Sequence, residues 1–154
     1  EKGKWSKAGS LFEMGTRVPF IISSPGMSGN GQSCARIVES LDIYPTLTEL
    51  CGLPPQKKIE GTSLMPLLKN PSANWDKPAY SVWSEDGKTL HGVAVRTEKW
   101  RYAEYGPSGK NGAMLLDPHD PDELNNLAGD EKYQSAIVEL SALTRKYAAS
   151  LGTA

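Results

Sequence analysis

Lysine and arginine side chains gather in a polar segment at the start of the chain, where Lys2, Lys4, Lys7 and Arg17 stand within residues 1–17. An apolar run follows at once, because residues 18–22 read Val-Pro-Phe-Ile-Ile and are closed by Ser-Ser-Pro-Gly. A run this short with β-branched residues predicts a buried strand of a parallel or mixed sheet. A polar loop that feeds such a strand is where α/β enzymes usually place their chemistry. We therefore place the chemistry of this chain at its first loop.

The residues behind this loop predict a short strand and two helices. Residues 35–38 fit a short strand, and Asp42 is predicted as the N-cap of a helix that ends at Cys51 before Gly52. Ser63 is predicted to cap a short turn over residues 64–68. The first helix is expected to bury an apolar face in the core, formed by Ile43, Leu47, Leu50 and Cys51.

Beyond a linker at residues 70–78, the hydrophobic pattern changes to that of strands. Four segments alternate in polarity as an antiparallel sheet requires, at residues 79–83, 92–96, 99–105 and 113–116. Apolar residues then recur at helical spacing from about Asp130, which predicts a C-terminal helix packed on that sheet. We therefore predict two parts, residues 1–74 and residues 75–154.

Composition excludes several classes of protein. The formal net charge of −1 gives no basic excess for a nucleic-acid partner, and no apolar run approaches the roughly 20 residues of a membrane span. The two cysteines are Cys34 and Cys51. A disulfide is one interpretation, but the absence of framework spacing favours one loop thiol and one buried helix thiol.

Five segments, in order along the chain, resemble one enzyme family. The first, Gly3-x-Trp5-x-Lys7-x-x-Ser10-x-Phe12-Glu13-x-x-Thr16-Arg17-Val18-Pro19, resembles the segment after the last metal-binding loop of sulfatases, in the alkaline-phosphatase superfamily. Its nearest likeness is to the branch of iduronate-2-sulfatase and choline-sulfatase. Further segments resemble a helix, a turn and the C-terminal subdomain of that family, namely Asp42-Ile-Tyr-Pro-Thr-Leu47, Gly61-x-Ser63-Leu64-x-Pro66-Leu67-Leu68, Val95-Arg96-Thr97 with Trp100-Arg101-Tyr102, and Asp120-Pro121-x-Glu123-x-x-Asn126-Leu127.

The resemblance implies an α/β fold, in which the C-terminal end of a sulfatase-type α/β core precedes a small antiparallel four-stranded sheet packed by a C-terminal helix. It also implies that Lys7 is a catalytic residue that contacts the sulfate oxygens, since a lysine in a partly dry pocket balances their charge, with a solvated surface lysine as the alternative. Trp5 is expected to wall the substrate pocket or to pack beneath the loop. Lys2 stands where relatives often carry histidine and is expected to meet an anionic substrate. His91 is expected to contact the substrate, with a surface histidine as the alternative.

Other charged residues are predicted to be structural. Glu13 and Arg17 are expected to form an ion pair or loop hydrogen bonds beside the predicted strand, and Arg96 and Arg101 to act as cross-strand and interdomain partners. His119 lies in Asp117-Pro-His-Asp-Pro, which we interpret as a turn because its Asp and Pro residues have local backbone roles.

The family's nucleophile is a cysteine in Cys-x-Pro-x-Arg that is oxidised to formylglycine, and neither Cys34 nor Cys51 fits that motif. The family's calcium also needs several convergent oxygens that this sequence does not cluster. The resemblance therefore implies that formylglycine, calcium and their ligands lie in an N-terminal remainder upstream, and that this chain alone is inactive.

The complete protein is predicted to hydrolyse sulfate monoesters of a sugar or a small alcohol. A phosphoryl hydrolase of the same superfamily and a non-catalytic sugar-binding or interaction module stay open. Family analogy places the protein in the periplasm, outside the cell or in the lysosome.

Overall fold

The computed structural model describes residues 10–152, which fall into two compact units. The first, called here the sheet unit, joins the described residues up to Val18 to those from Pro78 onward. The second, called the middle unit, is Pro19–Lys77. The described part of the first segment thus packs with the later half of the chain. The division into domains at residues 74 and 75 stays a prediction.

A four-stranded sheet organises the sheet unit. Each strand pairs antiparallel with the next in the order β1-β2-β3-β4. The strands are β1 Ala79–Trp83, β2 Gly92–Arg96, β3 Arg101–Tyr105 and β4 Ala113–Leu116. This confirms the predicted sheet, except that β3 begins two residues later than expected. Residues 97–100 instead form the hairpin turn, in which Trp100 N donates to Thr97 Oγ1 at 3.0 Å.

A long helix covers one face of this sheet. Helix α4 is Gln134–Ser150 and follows a 3₁₀ turn at Glu131–Tyr133. Tyr80 of β1 stacks on Tyr147 of α4 with ring centroids 4.2 Å apart. The main core lies between helix and sheet and contains Val95, Tyr102, Leu115 and Leu140. The predicted C-terminal helix and its packing on the sheet are therefore confirmed.

The opposite face of the sheet is covered by the chain's first described segment. Because strand side chains alternate between faces, Ala94 of β2 and Ala103 of β3 point away from α4. Leu11 packs on both alanines and is buried. The short helix α1, Glu13–Thr16, follows directly. The two alanines leave room for the segment to lie close to the strands.

The middle unit contains helix α2, Ile43–Leu50, after a 3₁₀ turn, and helix α3, Met65–Lys69. Its core contains Leu64, Leu67 and Trp75, all buried. The indole Nε1 of Trp75 donates to the carbonyl of Ile37 at 2.8 Å, which holds a residue of the predicted linker in the middle unit.

Asp42 occupies the N-cap position of α2 as predicted, but its side chain makes no capping hydrogen bond to the helix, because its carboxylate binds other backbone amides. It accepts from Glu39 N at 2.9 Å and from Thr62 N at 2.7 Å. Thr46 Oγ1, also buried, accepts from Leu64 N at 2.8 Å. The start of helix α2 is therefore joined to the segment before α3, because its polar side chains accept hydrogen bonds from the backbone amides of that segment.

The predicted apolar face of α2 is consequently wrong in part. The buried side chains of this helix are Thr46 and Thr48, whereas Leu47 is half exposed and Cys51 is exposed. Cys34 is also exposed, and both cysteines are free thiols. The expected burial of the helix thiol was therefore wrong.

The strands predicted at residues 18–22 and 35–38 are not formed. Ile21 is 90% exposed, and Val18 and Phe20 are exposed as well. A strand needs a neighbour to pair its amide and carbonyl groups, and within residues 10–152 the strands all belong to the sheet of the other unit. In the same described residues, no helix is long and apolar enough to cross a membrane.

Candidate functional site

Three of the predicted site residues, Lys2, Trp5 and Lys7, lie outside the described residues. Lys7 stands three residues before Ser10, a covalent reach of at most about 11 Å. The described structure therefore defines the base of the predicted sulfate-binding loop, which is the segment from Ser10 to Arg17.

Leu11 fixes this base to the sheet. Its side chain is 1% exposed and lies against Gly92, the first residue of β2. A Cβ on Gly92 would stand 2.9 Å from Leu11 Cδ1, well inside van der Waals contact. The absence of a side chain at Gly92 is thus what lets Leu11 pack so close to the strand.

Arg101 of β3 binds the same base through its whole guanidinium group. Its Nη1 donates to the Leu11 carbonyl at 3.2 Å and to Thr16 Oγ1 at 2.9 Å. Its Nη2 donates to the Glu13 carboxylate, and its Nε lies 3.2 Å from Glu123 Oε1. The side chain is buried, so these contacts are shielded from competing water. A planar fork of donors fixes direction as well as charge.

Glu123 reaches this cluster from the turn that follows β4. Its Oε2 accepts from Glu13 N at 2.8 Å while its Oε1 faces Arg101. The carboxylate is buried, and the backbone of Glu123 has φ 49°, in the left-handed region that residues other than glycine seldom adopt. Such a conformation persists only where surrounding contacts impose it.

Arg96 completes the cluster as the cross-strand neighbour of Arg101. Two arginines opposite each other repel, and Glu13 relieves this because it contacts Arg101 and lies 3.4 Å from Arg96 Nε. We call the group of Arg96, Arg101, Glu13 and Glu123 the charged anchor. The predicted cross-strand pairing of the arginines is confirmed, and so is the predicted pair of Glu13 with Arg17, at 3.7 Å. The interdomain role of the arginines stays a prediction.

The pKa values in the anchor show how strongly the charges interact. Burial raises the pKa of Glu13, but the combined attraction of Arg101, Arg96 and Arg17 outweighs burial and holds the pKa below its usual 4.5. Burial lowers the pKa of Arg96, although Glu13 opposes that effect. Glu13 is therefore a carboxylate at neutral pH, as its three arginine contacts require.

An open cleft of about 410 Å³ lies between the loop base and β1. Hydroxyl groups and one indole dominate its lining, which consists of Ser10, Leu11, Gly15, Thr16, Ser81, Val82, Trp83 and Ser84. An aromatic face beside hydroxyl donors is a surface suited to a sugar ring, which presents both C–H and O–H groups.

His91 supports the wall of this cleft. Its ring centroid lies 5.4 Å from that of Trp83, and its backbone N donates to the Trp83 carbonyl at 2.8 Å. Tyr105 packs edge-on against the other side of Trp83, with ring centroids 6.2 Å apart. Direct contact of His91 with a substrate stays a prediction.

His119 lies in a turn, as predicted. Its backbone N and ring Nδ1 both lie 2.8 Å from Asp117 Oδ1, and the side chain is exposed. Within residues 10–152, no group of three or more histidine, cysteine, aspartate or glutamate side chains is placed to hold a metal ion. The described residues therefore do not fit the calcium site that the family resemblance implies.

Sequence reasoning missed Leu11, Gly92, Glu123 and Trp83 as parts of the site. The motif Asp120-Pro-x-Glu123 marked a turn, but nothing local indicated that its glutamate contacts Arg101. Trp83 carried a usable signal, because it ends β1 on the same strand face as Ser81.

Residues 1–149 match the family model described as N-sulphoglucosamine sulphohydrolase, C-terminal. Arylsulfatase K of Xenopus laevis is 32% identical over 147 residues, which cover 87% of this chain and 27% of the relative. Delta 4,5-hexuronate-2-O-sulfatase of Bacteroides thetaiotaomicron is 32% identical over 144 residues, covering 90% of this chain and 30% of the relative. The chain thus spans less than a third of the length of these relatives.

Two solved structures are similar to this chain in three dimensions. A 2-O GAG sulfatase is 33% identical with a TM-score of 0.58, covering 69% of this chain and 23% of its own. A phosphonate monoester hydrolase from Silicibacter pomeroyi has a TM-score of 0.61 over 86% of this chain and 28% of its own. At 21% identity, the second likeness concerns the fold alone.

Proposed function

This chain belongs to the N-sulphoglucosamine sulphohydrolase C-terminal family of sulfatases, and from that membership we propose that the complete protein hydrolyses sulfate monoesters carried by sugars. The match of residues 1–149 to one family model is the observation that carries the proposal, because it includes both compact units. The relative named as a hexuronate-2-O-sulfatase, at 32% identity, supports a 2-O-sulfated hexuronate as the substrate class, and the solved structure titled as a 2-O GAG sulfatase agrees with the 2-O position. The iduronate-2-sulfatase and choline-sulfatase branch stays a prediction.

Within that reaction, the first loop of this chain supplies positive charge to the sulfate. Lys7 donates to the sulfate oxygens and balances the charge that grows on the ester as its bond to sulfur breaks. Lys2 and Trp5 meet the rest of the anionic substrate from the same loop. We propose that the base at Ser10–Arg17, which the charged anchor holds, positions Lys7 for this work.

The cleft beside β1 receives the sugar that carries the sulfate. Trp83 offers a flat apolar face, while Ser81 and Ser84 offer hydroxyl groups at the same wall. His91 packs against Trp83 with its ring tilted and supports the indole. This arrangement explains how the C-terminal sheet unit would help to select the alcohol that is released.

The nucleophile and the metal are supplied by the N-terminal remainder of the complete protein. The described residues hold no cluster for a cation, and the two cysteines lie outside a Cys-x-Pro-x-Arg motif. Calcium and a formylglycine are therefore proposed for the remainder and not for this chain. We also propose an exported location, either periplasmic, secreted or lysosomal, by analogy with the family.

The proposal is tested with the full-length protein and one sugar in two esterified forms. An unsaturated 2-O-sulfated hexuronate disaccharide and its 2-O-phosphorylated counterpart are incubated separately, and released sulfate and phosphate are measured. A sulfatase releases sulfate at least about 10²-fold faster than phosphate. This ratio converts to about 2.7 kcal/mol of discrimination in the transition state.

Two other outcomes would identify the alternatives. Faster release of phosphate would favour a phosphoryl hydrolase of the same superfamily. Release of neither anion by a protein that still binds the disaccharide would favour a non-catalytic sugar-binding module. A peptide map that finds formylglycine in a preceding Cys-x-Pro-x-Arg peptide would support the sulfatase.

A further inference from the structure

We propose that Arg101 is a positioning residue, which holds the loop base so that Lys7 reaches the sulfate of the substrate. The inference rests on the proposed function, because it assigns to Arg101 a part in the work of Lys7. It goes beyond that function, since Arg101 is a residue of β3 whose contacts with the loop are formed across 85 to 90 positions of sequence.

The contacts of Arg101 fix the loop at both ends of α1. The Leu11 carbonyl precedes the helix and Thr16 is its last residue, and one nitrogen, Nη1, donates to both. Glu13 in the first turn is held by Nη2. A displacement of Arg101 would therefore free the backbone at Leu11, which is four residues from Lys7 and within a covalent reach of about 14 Å.

The charged anchor carries free-energy penalties that an apolar contact between the same segments would avoid. It buries an arginine with two glutamates, keeps a second arginine opposite the first, and holds Glu123 at φ 49°. Buried ion pairs seldom stabilise a protein more than apolar residues of the same volume, but they do impose geometry. The base of this one loop therefore combines like-charge repulsion, desolvated charges and backbone strain. We interpret this combination as a means of orienting the loop.

The same strand provides a matched control. Glu104 of β3 lies on the opposite face and pairs with Arg145 of α4 at 3.0 Å, within a network that includes Ser141. This ion pair also joins the sheet to a helix through a buried glutamate. It lies on the face of the sheet away from the loop base, so its loss should reduce stability without moving Lys7.

The test is a double-mutant cycle in the full-length protein, with release of sulfate from the 2-O-sulfated disaccharide as the readout. Arg101→Gln alone should lower kcat about 10²-fold, because a misplacement of about 1 Å at a reacting group has an effect of that size. In a Lys7→Ala background, Arg101→Gln should lower kcat less than about 3-fold further, because the group it positions is already missing. Arg101→Lys should not restore kcat, since an ammonium cannot make the forked contacts.

Hydrogen exchange provides a readout that does not depend on activity. A peptide covering residues 10–20 should exchange faster in Arg101→Gln than in the parent protein, whereas Arg145→Gln should leave both that peptide and kcat unchanged. If Arg101→Gln does not fold, Glu13→Gln is used in the same cycle, because Glu13 is partly exposed and its loss is milder.

Three results separate the possible failures. An inactive parent protein would contradict the proposed function. An active parent in which the effects of Arg101→Gln and Lys7→Ala multiply would overturn the positioning role, because independent losses are additive in free energy. Equal losses of kcat in Arg145→Gln and Arg101→Gln would overturn it too, because both would then reflect stability alone.

Discussion

Leu11 occupies the space that a side chain on Gly92 would fill, since a Cβ there would stand 2.9 Å from Leu11 Cδ1. The same Cβ would also lie 3.1 Å from Tyr105 Cδ1. The base of the first loop therefore packs against β2 at the position where that strand has no side chain. This contact couples a strand of the C-terminal sheet to the segment that follows Lys7.

Gly92→Ala should disturb the packing of Leu11 against β2. The added methyl group must displace Leu11 or Tyr105, and overpacking of this kind costs about 1–3 kcal/mol. We expect a lower thermal unfolding midpoint for the full-length protein, together with a lower kcat for sulfate release because the loop base moves. Differential scanning fluorimetry and initial rates would measure the two effects.

The matched control is Gly129→Ala, because a Cβ on Gly129 meets no other atom within 4 Å. This variant should keep the parent kcat, and its midpoint should stay equal or rise slightly as the unfolded chain loses freedom. Equal unfolding midpoints and equal kcat values for the two alanine variants would contradict the close packing of Leu11 against Gly92.

Trp83→Ala should weaken the binding of the sugar. If the ring of the substrate lies against the indole in the cleft, its removal should raise KM for the 2-O-sulfated disaccharide about 10-fold, an effect of about 1.4 kcal/mol. Trp100→Ala is the control, because Trp100 packs edge-on against Tyr133 in the core on the other face of the sheet. A rise in KM of the same size in both variants would argue against a sugar site at the cleft.

Acid should weaken the charged anchor. The pKa of Glu13 is lower in the folded protein than its usual 4.5, so its ionised form favours folding. That contribution is present above pH 4.5 and is lost as the pH falls through the folded value. The difference in unfolding midpoint between the parent and Glu13→Gln should therefore be constant near neutral pH and shrink below 4.5. A difference that grows on acidification would contradict the ion pairs described for Glu13.

The sheet unit was largely predictable, because its pattern is local. In β2, the run Gly-Val-Ala-Val-Arg shows the alternation that separates the face under α4 from the face under Leu11. The predicted strand at residues 18–22 failed for a matching reason, since a strand also depends on a neighbour that these five residues cannot specify.

The lysine-rich loop before an apolar run predicts anion chemistry, which stays a prediction because its lysines lie outside the described residues. The pairing of Arg101 with Glu123 could not be predicted, because it joins two buried charges that packing alone brings together. Asp42 shows the same limit in the middle unit. Its type and place predicted an N-cap, but Thr62, twenty residues later, supplies the amide that binds it.

The central claim, that this chain brings the sulfate-binding lysine to a sulfatase, is tested most directly by Lys7→Ala in the full-length protein. We predict that kcat for sulfate release falls about 10²- to 10³-fold, as it does when a donor to a developing anion is removed. Lys146→Ala, on the exposed side of α4, should leave kcat unchanged. Parent-like kcat in Lys7→Ala would contradict the account.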